Sequence, residues 1–201
     1  MKPASTNDIG LLILAAGQAS RMGKEKQLLP WKGKTLLEHA VSQALQLSTN
    51  VHVVLGAYAE KTQPLLASYP VQLIHNKEWE QGMGTSLATG LHALQKEGCS
   101  AALILLVDQP MIALAHYQQL IAHFRETPEA IIASEYPNGP GVPAVIPKRY
   151  FGQLSSLKGE GGAKKLMRSK DTPVRTIPTV GMLVDLDRPE DYEAAFSRWG
   201  S

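Results

Sequence analysis

Five short, continuous apolar runs constrain this chain most: Ile9–Leu14, Val51–Leu55, Val71–His75, Ala101–Val107 and Ala130–Ser134. A strand with one solvated face alternates polar and apolar residues; an unbroken apolar run suits a strand buried on both faces, as in a parallel sheet. Helical patterns lie between the runs. Thr35-Leu36-Leu37-Glu38 spells a capping box and opens a stretch with Leu36, Leu37, Ala40, Val41, Ala44 and Leu45 at helical spacing. Thr85–Gln95 repeats the pattern with Leu87, Ala88, Leu91 and Leu94, and Leu114–Phe124 with Leu120, Ile121 and Phe124. Strands alternating with helices predict βαβ units and an α/β fold with a mostly parallel central sheet covered on both faces. Right-handed crossovers bring the strand ends to one edge, where such sheets bind ligands, so the residues just after each strand carry the functional reading.

The second half is less regular. Tyr136–Pro147 is rich in Pro and Gly around a short Val142–Ile146 run, Val174–Ile177 and Met182–Leu186 read as late strands, and Pro189–Trp199 as a closing helix with Pro in its first turn. Met1–Asp8 is polar and reads as a flexible terminus, leaving residues 9–201 as one domain. The balance of 20 basic and 18 acidic residues argues against a nucleic-acid partner held by bulk charge. Without a long apolar segment or a paired cysteine, the chain is expected to be cytoplasmic and off the membrane.

The loop after the first run is Leu14-Ala15-Ala16-Gly17-Gln18-Ala19-Ser20-Arg21-Met22-Gly23-Lys24-Glu25-Lys26. Small residues at Ala15, Ala16 and Gly17 let the backbone approach a ligand, and consecutive N–H groups can cradle phosphate oxygens. Arg21 and Lys26 add fixed positive charge. Five residues separate Gly17 from Gly23, which excludes a Walker phosphate loop, and no second glycine follows Gly17 at the dinucleotide spacing. A plain surface loop is the bland alternative. Asp108 ends the most apolar run and precedes Gln109-Pro110. A carboxylate there sits at the ligand edge and suits Mg²⁺ (or Mn²⁺), which takes one or two carboxylates plus phosphate oxygens; the alternative is an Asp capping the next turn.

The spelling LAAG-x-x-S-RMG-x-x-K resembles the signature of nucleotidyltransferases with a three-layer, glycosyltransferase-A-like and Rossmann-like fold, in which this loop wraps the triphosphate. Ala-Ala-Gly is more similar to the cytidylyltransferases than to the molybdenum-cofactor guanylyltransferases, and Gly82-Met83-Gly84-Thr85-Ser86-Leu87 resembles the base loop of the molybdenum-cofactor cytidylyltransferases within the MobA-like group. On local grounds alone, Thr85 or Ser86 would only cap a helix. The resemblance implies nucleotide contacts at Leu14, Ala15, Ala16, Gly17, Ser20, Arg21, Lys26, Gly82, Ser86 and Asp108, with Arg21, Lys26 and Asp108 catalytic. Val184–Asp191 resembles the D-x-D-x-PED tail, which implies a second metal ligand at Asp185, with Asp187 close behind. Glu190 and Asp191 suit the start of the last helix. Gly141 and Pro143 match a G-x-P element, with Val142 where His or Asn is usual. Gly162 and Lys164 fall in a segment like G-D-x-G-A-R, with Glu160 for Asp and Lys164 for Arg. These two segments would line the acceptor pocket.

The implied reaction moves CMP from CTP to the phosphate of a molybdopterin-type cofactor and releases pyrophosphate, with a xanthine-dehydrogenase-type apo-enzyme as a downstream partner. A cytidylyl- or uridylyltransferase for a sugar or alditol phosphate is the near alternative; a non-catalytic carrier of molybdenum cofactor is one of another class. None of the six histidines has zinc-motif spacing, and His116 and His123, one heptad apart, read as surface periodicity. Cys99 reads as packing, and Trp31, Trp79 and Trp199 as core or interface, with a pocket role the alternative for Trp79 because it precedes the base loop.

Overall fold

A computed structural model describes residues 8–18, 22–156, 162–182 and 184–201. The expected loose terminus therefore lies outside the described residues, apart from Asp8. The strands are β1 (Ile9–Ala15), β2 (Pro30–Trp31), β3 (Lys34–Thr35), β4 (Val51–Leu55), β5 (Gln72–His75), β6 (Ala101–Leu106), β7 (Ile131–Tyr136), β8 (Gly139–Pro147) and β9 (Val174–Ile177). The α-helices are α1 (Leu36–Leu45), α2 (Ala59–Thr62), α3 (Met83–Lys96), α4 (Leu114–Glu126), α5 (Phe151–Ser155), α6 (Gly162–Met167) and α7 (Pro189–Ala195).

Seven strands form one sheet in the order β5-β4-β1-β6-β8-β7-β9, and β2 and β3 pair separately. β1 pairs parallel with β4 and β6, and β4 with β5, while β8 runs antiparallel to both β6 and β7. The apolar runs behave as their composition demands. Every residue of β1, β4 and the first five of β6 is buried, because helices cover both faces. On one face Leu11, Ile13, Val53, Leu103 and Leu105 pack with Leu37 and Val41 of α1, Leu120 of α4 and Ala195 of α7. On the other, Leu12, Leu14, Val54 and Ile104 pack with Leu87 and Leu91 of α3 and Leu154 of α5. Alternate side chains of one strand thus feed two cores, as the period of two requires.

The Thr35–Glu38 capping box forms as its spelling predicts. The Thr35 hydroxyl accepts from Glu38 N at 3.2 Å, and Glu38 Oε2 accepts from Thr35 N at 2.9 Å. Tyr136–Pro147, read as irregular, is instead largely the nine-residue strand β8 and its turn from β7. Pro143 is tolerated where the β7–β8 register shifts, opposite Ala133 and Ser134. The expected strand over Met182–Leu186 does not form among its described residues. That segment is held by single backbone bonds: Met182 N to Met111 O at 3.3 Å and Leu186 N to Asp108 O at 2.9 Å. His116 is a second correction. It is fully buried, not surface periodicity, with Nε2 on Ser134 Oγ at 2.8 Å and Nδ1 accepting from Val180 N at 3.4 Å.

Candidate active site

The carboxyl ends of β1 and β6 open onto a cavity of about 660 Å³, consistent with where parallel sheets place ligands. Leu14, Ala15, Ala16, Gly17, Lys26, Gly82, Ser86 and Asp108, all singled out from the sequence, line it together. Ser20 and Arg21 lie outside the described residues. Trp79 is in the lining too, as its place before the base loop suggested.

The start of the loop is tied down by Gln27, which sequence reading passed over. It is buried, and its Nε2 donates to Ala15 O at 3.1 Å and to Gly17 O at 2.7 Å. Gly56, the first residue after β4, braces the same turn. A Cβ there would sit 2.6 Å from Ala16 O and 2.8 Å from Trp79 Cβ, so only glycine lets the loop approach this closely.

α3 begins at Met83, with Gly82 as its N-cap at φ 103°, a left-handed value that favours glycine. Thr85 and Ser86 therefore lie inside the first turn and do not cap the helix. Their hydroxyls instead meet the amide of Asn76, with Nδ2 2.9 Å from each oxygen.

At the floor, Lys26 Nζ donates to Asp108 Oδ2 at 3.0 Å and to Asp187 Oδ1 at 2.8 Å. Burial opposes the charge on Lys26, but Asp108 and Asp187 outweigh it and hold its pKa above the usual lysine value. Asp108 is pushed upward, first by burial and further by Asp185 and Asp187, against the pull of Lys26. Lys26 thus bridges two carboxylates, Asp108 and Asp187. Asp108 Oδ1 is buried and has no hydrogen-bond partner among the described residues. An unsatisfied anionic oxygen in an electronegative floor fits a hard divalent cation, whose ligands are carboxylate oxygens and phosphate. No group of three or more His, Cys, Asp or Glu side chains among the described residues forms a closed metal cage.

Asp187 N donates to Asp185 O at 2.9 Å, a tight i to i+2 turn that separates the two carboxylates. Asp187 faces Lys26 and the large cavity, while Asp185 lines a second cavity of about 440 Å³. Gln109 lines the second cavity beside Asp185. Its Nε2 lies 2.7 Å from Asp185 Oδ1, 2.8 Å from the Tyr136 hydroxyl and 3.3 Å from Val142 O. Burial, then the nearby Asp185 carboxylate, pushes the Tyr136 phenol upward, so it stays protonated and donates to Val142 O.

The second cavity shares Leu14, Met83 and Leu106 with the first. Gly141 and Lys164 line it, whereas Pro143 is outside its lining. The Pro143 carbonyl accepts from Ser134 Oγ at 2.6 Å behind the wall. Glu160 lies outside the described residues.

A doubly covered sheet, with a small-residue loop, a lysine and an aspartate meeting at its carboxyl edge, defines a nucleotidyltransferase. The chain belongs to the MobA-like NTP transferase domain family, whose model matches residues 11–174. The purine catabolism protein PucB of Bacillus subtilis is 28% identical over 197 residues, covering 90% of this chain and 93% of PucB. The molybdenum cofactor cytidylyltransferase of Escherichia coli is 25% identical over 192 residues, covering 95% of this chain and 97% of its own length. Nicotine blue oxidoreductase of Paenarthrobacter nicotinovorans is 31% identical over 169 residues, covering 79% of this chain and 81% of its own. Among solved structures, Rv0371c of Mycobacterium tuberculosis, in a complex with manganese, superimposes with a TM-score of 0.77 at 26% identity, covering 94% of this chain and 98% of that one. No helix among the described residues is long and apolar enough to cross a membrane.

Proposed function

We propose that this nucleotidyltransferase transfers CMP from CTP to the phosphate of a molybdopterin-type cofactor, with release of pyrophosphate. One observation carries the reading: two cavities adjoin across Leu14, Met83 and Leu106, one bearing the small-residue loop and Lys26, the other largely apolar with Gln109, Lys164 and Asp185. The first suits a triphosphate and the second a ring system bearing a phosphate, side by side as a group transfer between them needs. The likeness over nearly the whole chain to a molybdenum cofactor cytidylyltransferase supports this acceptor. A phosphate oxygen of the acceptor bonds to the α-phosphorus of CTP, the bond from that phosphorus to the β-bridging oxygen breaks, and pyrophosphate carries the electron pair away. A phosphate is already anionic near neutral pH, so no general base is required. The difficulty is holding two anions together, and positioning and charge neutralisation supply the rate.

Gly17 and its neighbours bind the triphosphate, Lys26 neutralises it, and Arg21 adds a guanidinium fork. A divalent ion, Mg²⁺ or Mn²⁺, would be held by Asp108 with Asp187 or Asp185 and would supply charge neutralisation at the phosphates; manganese in the Mycobacterium tuberculosis relative supports this. A xanthine-dehydrogenase-type apo-enzyme would receive the product. The oxidoreductase name of one relative points elsewhere, but a cationic lysine between two carboxylates is suited to phosphates, not to hydride or electron transfer. Incubating the protein with Mg²⁺ or Mn²⁺, each nucleoside triphosphate and molybdopterin tests the reading. Acceptor-dependent pyrophosphate release with CTP alone is expected. Release with CTP only when sugar phosphates replace molybdopterin would move the acceptor to that class, and binding of molybdenum cofactor without any nucleotide binding would make the chain a carrier.

A further inference from the structure

The far wall of the larger cavity contains a hydrogen-bond arrangement that fixes which way one hydroxyl points. Asn76, directly after β5, is buried, and its Oδ1 accepts from Glu78 N at 2.9 Å. A backbone N–H only donates, so the amide oxygen must lie on that side and the NH₂ on the other. The NH₂ has two hydrogens, and two oxygens receive them: Thr85 Oγ1 and Ser86 Oγ, each at 2.9 Å. Thr85 places its own proton internally, since its oxygen lies 2.9 Å from both Glu78 O and Gly82 O. Ser86 has no such outlet: its oxygen accepts from Asn76, and no described residue accepts its proton. Ser86 is 4% exposed, and it lines the cavity. A buried hydroxyl that already accepts one hydrogen bond and donates to no described residue has its proton available for whatever enters the cavity.

We propose that Asn76 is a positioning residue that holds Ser86 as a hydrogen-bond donor toward the nucleobase, so that the site takes a base presenting an acceptor there and disfavours one presenting N–H. Cytosine offers adjacent acceptors at O2 and N3, whereas the corresponding edge of guanine carries N–H donors. A donor facing a donor leaves both unsatisfied in a dry pocket, which is how a hydrogen-bonding site rejects a near analogue. The inference rests on reading the larger cavity as the nucleotide site.

Asn76→Asp separates polarity from shape. The carboxylate still accepts from Glu78 N, but it offers an acceptor where the amide offered donors, so Ser86 turns its proton inward. Calorimetric binding of CTP, GTP and ribose 5′-triphosphate in Mn²⁺ then divides the base contribution from the phosphate contribution. Asn76→Asp and Ser86→Ala should each weaken CTP about tenfold, the loss of one hydrogen bond to the base, and leave ribose triphosphate unchanged. The double variant should be no weaker than either single one, because both remove the same contact. Unchanged CTP affinity in Asn76→Asp, or an equal loss for ribose triphosphate, would overturn the proposal. If Asn76→Asp does not fold, Ser86→Ala decides: an unchanged ratio of CTP to GTP affinity overturns it, and a reduced ratio supports it. Failure of the unmodified protein to bind any of the three triphosphates would instead remove the nucleotide reading itself.

Discussion

Lys26, Asp108 and Asp187 show how far single residues could be read in advance. Asp108 stood out because it ends a buried apolar run, a position on the ligand edge, and Lys26 because it adds charge to the loop that follows another. Asp187 over Asp185 as the partner of that lysine was not legible. It turns on an i to i+2 backbone bond that reverses the chain between them. Gln27 and Asn76 left no trace in the sequence, since a single buried amide has neither periodicity nor motif, and its value lies in partners distant in the chain. On this geometry Asp108→Asn, which keeps the shape and removes the charge, should lower metal-dependent turnover by about 10²- to 10³-fold, in the range for losing a preorganised electrostatic group. Turnover within a few-fold of the unmodified enzyme would remove Asp108 from the reaction. Asp187→Asn should raise the Mn²⁺ concentration for half-maximal rate more than Asp185→Asn does, as seen in a metal titration of each variant; the reverse order would return the second-ligand role to Asp185.

At the scale of elements, the strands buried on both faces were the most legible part, because unbroken apolar runs leave few other places to go. β8 was obscured by its glycines and prolines, which usually mark turns but here sit beside a register shift. The start of α3 was misjudged because Thr85 and Ser86 are good caps by type, whereas Gly82 at positive φ sets the boundary two residues earlier than the helical pattern begins. The junction of β4 with the loop after β1 depends on Gly56, where an added methyl would meet a backbone oxygen that cannot rotate away. Gly56→Ala should destabilise by about 1–3 kcal/mol, the usual range for overpacking, and weaken nucleotide binding with it. Chemical denaturation and triphosphate titration measure the two effects. A variant unchanged in both would mean that the loop does not need this close approach.

For the whole molecule, histidines set an expected acid limit. His52 and His116 are buried and His39 is half-buried, and burial lowers the pKa of all three below the ordinary 6.5. The unfolded chain therefore binds protons that the folded one resists. Their contribution to stability is complete above pH 6.5 and is lost as pH falls through the lower folded values. Asp108, raised above its ordinary 3.8, acts in the opposite sense. The melting temperature should fall as pH drops below 6.5, and His116→Asn should flatten part of that slope; a melting temperature that rises or stays level there would contradict the assigned neutral states. The account as a whole stands on group transfer between the two adjoining cavities. CTP radiolabelled at its α-phosphate, incubated with the protein, a divalent metal and molybdopterin, tests this most directly. Label recovered in a molybdopterin dinucleotide, with unlabelled pyrophosphate released, is the predicted result. Label that stays in CTP or emerges as free CMP with the acceptor unmodified would contradict it.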